Sequence, residues 1–242
     1  MKINKPFLSI IVPVYNEEKR LNRGINRILA FIDEQVFSIE LIVVNDGSTD
    51  ATIKLLKKLK HPSLRLISYE KNRGKGYAIR EGMRDAAGAW RLFMDIDLST
   101  PIEEFQKFLP HFKNFDVIIG SRRTKDSTVL VHQPILREWL GSVFTWLSST
   151  ILNVEISDFT CGFKCFSKNA ANKLFSLARL HGWGFDSEIM FLAQKKGFLI
   201  KEAPVVWSND SQTRVRLIKD VLISFTDIIK IRVNDVLGKY SE

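Results

Sequence analysis

Apolar, β-branched segments alternate with segments of helical periodicity through the first half of this 242-residue chain. The predicted strands are residues 8–14, 39–44, 64–69, 90–94 and 117–120. Apolar spacing predicts a helix that begins at Asn16, a second that Ser48 or Thr49 caps, and a third over residues 75–87. Because strands that alternate with helices usually pair in parallel, the pattern predicts an α/β fold, a mostly parallel sheet with helices on both faces.

Polar side chains follow four successive predicted strands. They are Tyr15, Asn16 and Glu17 after the first strand, Asp46 and Asp50 after the second, residues 72–76 after the third, and Asp95 and Asp97 after the fourth. Sheets of this kind bind ligands beyond the carboxyl ends of their strands. We therefore expect these side chains to share one ligand site, although Asp50 serves equally well as a helix cap.

Asp95 and Asp97 are separated by one residue at the end of the apolar run 90–94. Side chains two positions apart in a strand point to the same face, so both carboxylates are expected to meet at one place. Paired hard oxygen ligands suit Mg²⁺ or Mn²⁺, with water and substrate phosphates completing the coordination. The alternative is a solvated strand end without a metal.

The composition, with 45% apolar and 26% charged residues, is typical of a globular protein, and no linker-like segment divides the chain. We expect one main domain over residues 1–212, with an amphipathic helix over residues 213–242 that packs on it or is attached to it. A net charge of +9 favours phosphorylated small molecules or an anionic membrane as partners. The sequence contains no zinc finger, arginine stripe or aromatic RNA-binding motif, so no nucleic-acid partner is expected.

The sequence disfavours several other classes of protein. The N-terminus lacks a signal peptide's apolar core, and no apolar run reaches the roughly 18 residues that span a bilayer. Cys161 and Cys165 lack further ligands at zinc spacing, so we interpret them as reduced thiols of a cytosolic protein. Gly74-Lys75-Gly76 is followed by Ile79 where a dinucleotide fingerprint has its third small residue, and no P-loop motif occurs. Hydride transfer and ATP hydrolysis are therefore disfavoured.

Four motifs, in this order, resemble the nucleotide-sugar half of family 2 inverting glycosyltransferases. They are Pro13-Val14-Tyr15-Asn16-Glu17, Asn45-Asp46-Gly47-Ser48-Thr49-Asp50, Asn72-Arg73-Gly74-Lys75-Gly76 and Asp95-Ile96-Asp97. The resemblance extends over approximately residues 8–210. It implies the GT-A fold, which agrees with the predicted order of strands and helices.

The second half of the chain resembles the branch of this family that uses polyprenyl phosphate. The matching segments are Asp97-Leu98-Ser99, Gly120-Ser121-Arg122, Arg137, residues 158–164 and residues 182–188. The resemblance implies inverting transfer of a single hexose from a nucleotide sugar to a polyprenyl or dolichyl phosphate. Residues 185–188 and Val205-Val206-Trp207 favour glucose from UDP-glucose over mannose from GDP-mannose. Polymer synthesis is disfavoured because the sequence lacks the Gln-x-x-Arg-Trp motif of processive polysaccharide synthases.

The resemblance also implies roles for residues of the donor site. These roles are nucleotide contact by Asp46, a pocket wall of Pro13, Tyr15 and Glu17, contact with the donor phosphates by Arg73 and Lys75, and metal binding by Asp95 and Asp97. Proximity to the ribose is a second role for Asp95. A packed aromatic for Tyr15 and a solvated surface charge for Lys75 remain open alternatives.

An acceptor phosphate removes the need for a general base, because a phosphomonoester with a second pKa of about 6 is largely dianionic at neutral pH. It requires cations instead, and the implied ones are Arg122, Arg137 and Lys164, with ordinary surface charge as the alternative. Asp158 is expected to close the site. The expected acceptor-loop residues are Trp183, Asp186 and Glu188, whose two carboxylates either orient the acceptor or pair with nearby cations.

A lipid acceptor implies contact with a membrane surface, and two apolar segments are candidates for that contact. Residues 139–152 follow Arg137, and residues 217–236 carry apolar positions at helical spacing, flanked or interrupted by Arg214, Arg216 and Lys219. A basic amphipathic helix binds an anionic interface, but such a helix also packs on a core or a partner. We expect a peripheral protein at the cytoplasmic face of a membrane, with a separate membrane-anchor protein as a further partner.

Two other functions remain open. The first is glycosyl transfer to a saccharide or a protein, which would require a general base opposite the metal. The second is a non-catalytic subunit that binds a nucleotide sugar, which the intact pair of Asp95 and Asp97 disfavours.

Overall fold

The computed structural model describes residues 5–210 and 217–241, without the side chains of residues 217–222. The strands are β1 (Leu8–Val14), β2 (Ile39–Asp46), β3 (Leu64–Tyr69), β4 (Trp90–Met94), β5 (Val117–Ser121), β6 (Thr128–Val131), β7 (Phe163–Ser167), β8 (Ile200–Pro204) and β9 (Val206–Ser208). The helices are α1 (Leu21–Asp33), α2 (Thr52–Leu56), α3 (Lys75–Asp85), α4 (Ile135–Leu152), α5 (Lys168–Leu177), α6 (Phe185–Lys195) and α7 (Leu217–Val236). Two short 3₁₀ helices, Ile102–Lys107 and Leu109–His111, follow β4.

Seven strands form the central sheet in the order β3-β2-β1-β4-β7-β5-β8. β1 pairs in parallel with β2 and β4, β2 pairs in parallel with β3, and β5 pairs in parallel with β8. β7 is antiparallel to its neighbours β4 and β5. β6 and β9 form a separate two-stranded parallel sheet. The predicted mostly parallel sheet is therefore confirmed.

The apolar core lies on both faces of the central sheet. Ile10 and Ile11 are neighbours in β1, yet they belong to opposite core clusters because the strand pleat turns them to opposite faces. The Ile11 cluster includes side chains of helices α3 to α7, and the Ile10 cluster includes side chains of α1, α2 and the first 3₁₀ helix. Helices on both faces are thus confirmed, and the near-continuous apolar strands are those that such a sheet requires.

The structure reproduces β1, β3 and β4 with the predicted bounds, but the predicted starts of α1 and α2 are wrong. α1 begins at Leu21, because Asn16 has a left-handed φ of 54° and its amide oxygen accepts a 2.6 Å hydrogen bond from the Thr49 backbone N–H. Ser48 does not cap α2, since its hydroxyl oxygen accepts from the Asn16 backbone N–H at 2.9 Å. Asp50 holds the start of α2 through the Thr52 backbone N–H at 2.9 Å. These polar residues therefore join two strand-end loops.

The predicted C-terminal helix is present as α7, and its second half belongs to the core. Ile228, Ile231 and, just beyond the helix, Tyr240 are almost fully buried. The proposed boundary between residues 212 and 213, together with Arg214 and Arg216, lies outside the described residues, as does the side chain of Lys219. The division into two parts therefore stays a prediction. In the described parts of the chain, no helix combines the length and the apolar character needed to cross a bilayer.

Candidate active site

The carboxyl ends of β1, β2 and β4 open into a cavity of about 1270 Å³. The residues predicted from sequence that line it are Pro13, Tyr15, Glu17, Asp46, Lys75, Asp95, Asp97, Arg122, Arg137, Trp183 and Asp186. The helix α4 contributes Arg137, Leu140 and Phe144 to another part of the wall. The carboxylates at the strand ends and an apolar, arginine-bearing helix therefore share one cavity.

Asp95 and Asp97 meet in this cavity through a turn rather than through strand alternation. β4 ends at Met94, and the Leu98 backbone N–H donates to the Asp95 carbonyl at 3.4 Å. Leu98 is left-handed at φ 57°, and the Ser99 backbone N–H donates to the Asp97 carboxylate at 2.9 Å. The prediction that strand alternation brings these two carboxylates to one face was therefore wrong. Burial, followed by the neighbouring charge of Asp95, raises the pKa of Asp97.

Asp46 fixes the shape of the loop at residues 72–74. Its two carboxylate oxygens accept hydrogen bonds from the Arg73 and Gly74 backbone N–H groups at 2.8 and 2.9 Å and from the Asn72 amide at 2.9 Å. Gly74 has φ 101°, a conformation that L side chains rarely adopt. The next residue, Lys75, is the first of α3 and points into the cavity.

Lys75 forms the central ion pair of the site. Its ammonium lies 2.6 Å from an Asp95 carboxylate oxygen and 5.3 Å from the centroid of the Trp183 ring. Burial alone would lower the pKa of Lys75, but the carboxylates of Asp95 and Asp186 outweigh burial and the pKa is raised. A solvated surface charge, the alternative left open by the sequence, does not describe Lys75.

Arg73 is not among the residues that line the cavity, contrary to expectation. Its guanidinium donates to the Tyr77 hydroxyl and lies over the rings of Tyr69 and Tyr77, 5.9 and 4.7 Å from their centroids. The backbone N–H of Arg73 is the part that faces Asp46. Arg73 therefore contributes to the loop at residues 72–74 through its backbone, and its side chain packs against Tyr69 and Tyr77 instead of facing the cavity.

Arg122 and Asp158 form a buried pair rather than two independent site groups. The guanidinium donates to both oxygens of the Asp158 carboxylate, each at 2.7 Å, and also to the Thr160 hydroxyl at 2.8 Å. Asp158 is fully buried and does not line the cavity, so it cannot close the site as expected. Arg122 counteracts the effect of burial and lowers the pKa of Asp158 to about 2. The pair anchors Arg122 at the edge of the cavity.

Lys164 is fully buried, which contradicts its expected role as a cation for the acceptor phosphate. Its ammonium donates to the Phe159 and Cys161 carbonyls at 2.8 and 2.6 Å and to the Asp186 carboxylate at 2.5 Å. These three acceptors match the three donor protons of a lysine. Lys164 therefore supports Asp186, which does reach the cavity, from beneath the surface.

Glu188 is also buried away from the cavity and does not belong to an acceptor loop. It accepts hydrogen bonds from the Leu180 backbone N–H at 2.8 Å and from the Tyr240 hydroxyl at 2.5 Å. Burial raises the pKa of Glu188 even though these donors favour its ionised form. The residue attaches the end of the chain to the first turn of α6.

The matching family model identifies the relationship of this chain to known proteins. The model described as "Glycosyl transferase family 2" matches residues 9–175. This chain belongs to glycosyl transferase family 2. It is a glycosyltransferase, and the family resemblance drawn from its sequence motifs is confirmed.

Curated relatives of this glycosyltransferase align over almost its whole length. The dolichyl-phosphate beta-glucosyltransferase of Dictyostelium discoideum is 32% identical over 251 residues, which covers 98% of this chain and 77% of the relative. The protein of the same name from Homo sapiens is 31% identical over 249 residues, covering 96% of this chain and 77% of the relative.

Solved structures share the fold of this family 2 glycosyltransferase. Glucosyl-3-phosphoglycerate synthase from Mycobacterium tuberculosis, crystallised with Mn²⁺, UDP-glucose and phosphoglyceric acid, has a TM-score of 0.68 at 18% identity over 93% of this chain and 79% of the other. Mannosyl-3-phosphoglycerate synthase from Rubrobacter xylanophilus has a TM-score of 0.71 at 15% identity over 98% and 76% of the two chains. The GT-A fold is thereby confirmed.

Two arginines of the glycosyltransferase cavity, Arg20 and Arg123, were not predicted from the sequence. Arg20 forms an ion pair with Glu17 and a second, 2.9 Å pair with Asp210 beyond β9. Its position three residues after Glu17 was an available signal, because the first and fourth residues of a turn are neighbours, and here the Arg20 backbone N–H donates to the Glu17 carbonyl at 3.1 Å. Arg123 had no such signal, since it reaches the cavity only through the approach of α4, whose Gly141 lies beside its guanidinium.

The residues of this site fit a divalent metal. Asp95 and Asp97 supply hard carboxylate oxygens, and the Lys75 ammonium shows that a cation is stable beside Asp95. Among the side chains that the structure describes, those of residues 5–210 and 223–241, no three acidic, histidine or cysteine groups form a complete metal site. Mg²⁺ and Mn²⁺ commonly bind through one or two carboxylates together with substrate phosphates, so a two-carboxylate site is sufficient.

Proposed function

We propose that this family 2 glycosyltransferase transfers a glucosyl residue from UDP-glucose to the phosphate of a polyprenyl lipid such as dolichyl phosphate. The observation that carries the proposal is the shared cavity, in which Asp95 and Asp97 lie near β4 while Arg137 lies on the apolar helix α4. The names of the curated relatives support glucose and dolichyl phosphate. The Mn²⁺ and UDP-glucose named with one solved structure support the donor and the metal.

In the proposed reaction, an oxygen of the acceptor phosphate attacks the anomeric carbon while the bond to the nucleoside diphosphate breaks, and this single displacement inverts the configuration. A divalent metal bound by Asp95 and Asp97 would supply Lewis-acid stabilisation of the leaving diphosphate. Lys75 and Arg20 place further positive charge beside these carboxylates. The charge that develops on the leaving group is thus stabilised by groups already in position.

The acceptor half of the proposal depends on Arg137. Its side chain lines the cavity, and Leu140 and Phe144 continue the same wall with apolar groups, as a lipid chain next to its phosphate would require. Burial, followed by the charge of Arg122, lowers the pKa of Arg137. An anionic phosphate would relieve the repulsion between the two guanidinium groups.

Contact with a membrane surface is part of the same proposal. Leu136, Trp139 and Trp146 lie on α4, the helix that brings Arg137 into the cavity wall, and each of the three residues is more than half exposed. An exposed apolar surface beside a basic site suits the interface of an anionic membrane. We place the enzyme on the cytoplasmic face of that membrane, where a separate anchor protein would be a further partner.

The test is transfer by purified protein supplied with polyprenyl phosphate, Mn²⁺ and a panel of labelled nucleotide sugars, with the product extracted into organic solvent. We expect label from UDP-glucose in the organic phase. The Asp97→Asn variant should lose on the order of 10²-fold in kcat, because it removes charge that holds the metal at the leaving group. A matched variant on the outer surface, Asp33→Asn, should retain the wild-type rate.

Two results would redirect the proposal. Label from GDP-mannose alone would replace glucose with mannose and leave the acceptor unchanged. Label that remains in water on an added saccharide would favour a hydroxyl acceptor, for which Asp186, a cavity carboxylate outside the Asp95 and Asp97 pair whose pKa is raised by burial, is the candidate base.

A further inference from the structure

The ammonium of Lys75 occupies a position where the carboxylates of the site converge. It lies 2.6 Å from Asp95, and Asp186 and Asp97 also act on its charge. Its side chain is only 17% exposed, so water screens these interactions weakly. Lys164 already neutralises Asp186 from below. Lys75 is therefore the cation that compensates Asp95 in the described structure.

Asp95 has little freedom to turn away from this position. The backbone of Gly162 packs directly against its carboxylate, where a side chain at residue 162 would overlap it. The Asp95 backbone N–H also donates to the Gly162 carbonyl at 3.3 Å. Because the carboxylate is held from behind, a cation that arrives at Asp95 has to share or replace the contact with Lys75.

The surroundings of Lys75 allow its ammonium to move from Asp95 to a phosphate. It lies at the first position of α3, where the helix dipole and the backbone N–H groups favour a phosphate, and its ammonium also faces the Trp183 ring at 5.3 Å. A diphosphate in the cavity would offer it a stronger acceptor than the single oxygen of Asp95. In the absence of a diphosphate, a divalent metal at Asp95 would meet a positive charge at close range.

We propose that Lys75 is an internal counter-ion that competes with the divalent metal for Asp95 and moves to the donor diphosphate when both ligands bind. This inference rests on the metal use and donor class of the proposed function. Metal alone then binds weakly, and the nucleotide diphosphate strengthens metal binding by giving Lys75 another partner. The coupling is reciprocal, so the metal strengthens nucleotide binding to the same degree.

The test measures the Kd of Mn²⁺ for the full chain without nucleotide, from the paramagnetic resonance signal of unbound Mn²⁺. Lys75→Met should bind Mn²⁺ tighter than wild type by on the order of tenfold, because the competing ammonium is gone. Lys75→Gln should behave in the same way, and Lys75→Arg should stay at the wild-type value because it keeps the charge. The matched control is Lys71→Met, an exposed lysine of the same loop, which should leave the Kd unchanged.

A second measurement, the affinity for UDP, should change in the opposite direction from the affinity for Mn²⁺. Titration of UDP without metal should show weaker binding to Lys75→Met than to wild type, since the variant lacks the cation for the diphosphate. Tighter Mn²⁺ binding together with weaker UDP binding is not expected from a merely structural lysine. Thermal denaturation of each variant checks that the fold is retained.

Two outcomes would overturn the inference. The first is a Kd for Mn²⁺ that is unchanged or larger in both Lys75→Met and Lys75→Gln. The second is that Mn²⁺ binds neither the wild type nor these variants. Failure of the proposed function is distinguishable from these results. Glucosyl transfer with an unchanged Mn²⁺ Kd removes the counter-ion alone, whereas the expected Mn²⁺ response without any transfer removes the proposed reaction.

Discussion

At the scale of single residues, two arginines of one cavity differ in the part of the fold that positions them. The Arg122 guanidinium donates two hydrogen bonds of 2.7 Å to the buried carboxylate of Asp158. Arg137 lies on α4 beside apolar residues, and its pKa is lowered by burial and by Arg122. The first therefore stabilises the fold around the site, whereas the second is the better candidate for contact with an acceptor phosphate.

This difference predicts that alanine at position 137 weakens acceptor binding, whereas alanine at position 122 lowers stability. Arg137→Ala should raise the KM for polyprenyl phosphate at least about tenfold, or ~1.4 kcal/mol, with a smaller effect on the KM for the donor. Arg122→Ala should instead lower the free energy of unfolding by roughly 3 kcal/mol, because it leaves a buried carboxylate unpaired. Initial rates and urea denaturation of both variants measure these effects. Equal effects of Arg137→Ala on both substrates would exclude it from acceptor binding.

The sequence predicted which residue types form the site, but it did not distinguish site charges from buried structural charges. Lys164 and Glu188 resemble site residues in the motif, yet both are fully buried and bonded to neighbouring groups. Lys75 also lies in a motif that carries the family resemblance, but its side chain faces the cavity. Burial depends on long-range packing of α5, α6 and α7, which the local pattern does not contain.

At the scale of elements, apolar runs predicted strands more accurately than polar residues predicted the starts of helices. β1 and β4 have their predicted bounds because a continuous apolar run has few other places in a sheet buried on both faces. β3 also has its predicted bounds, although it is an edge strand without a fully buried residue. Asn16 and Ser48 were misassigned because such side chains bond equally well to neighbouring loops. The antiparallel insertion of β7 between β4 and β5 joins distant segments and had no local signal.

The attachment of the chain end to α6 leads to a prediction at this scale. Tyr240 is fully buried, and its hydroxyl donates to the Glu188 carboxylate at 2.5 Å. Tyr240→Phe should lower the free energy of unfolding by about 2 kcal/mol, because it removes a hydrogen bond to a buried charged group. Tyr77→Phe, whose hydroxyl bonds to Arg73 near the surface, should change it by less than about 0.5 kcal/mol. Urea denaturation with unchanged m-values measures both, and equal losses would contradict the assignment.

At the scale of the whole molecule, the two ends of the sheet differ in character. The carboxyl ends of the parallel strands carry the cavity and its arginines, and α4, which forms part of the cavity wall, exposes Trp139 and Trp146. The opposite end carries isolated exposed apolar residues, among them Val36 before β2 and Leu199 before β8. The chain also has a net charge of +9. If the acceptor is a lipid, these features favour one orientation, with the cavity end against an anionic membrane surface.

This orientation is tested with two double substitutions, one on α4 and one at the opposite end of the sheet. Trp139→Ser with Trp146→Ser replaces two residues of α4 that are 61% and 64% exposed. It should weaken binding to vesicles of anionic phospholipid by at least about tenfold, since each aromatic ring contributes over ~1 kcal/mol when it enters the interface. Val36→Ser with Leu199→Ser removes exposed apolar groups at the opposite end and should leave binding unchanged. Sedimentation with vesicles, repeated with neutral lipid, measures the difference. Equal binding by both variants would mean that α4 does not face the membrane, whereas loss in the Val36 and Leu199 variant alone would reverse the proposed orientation.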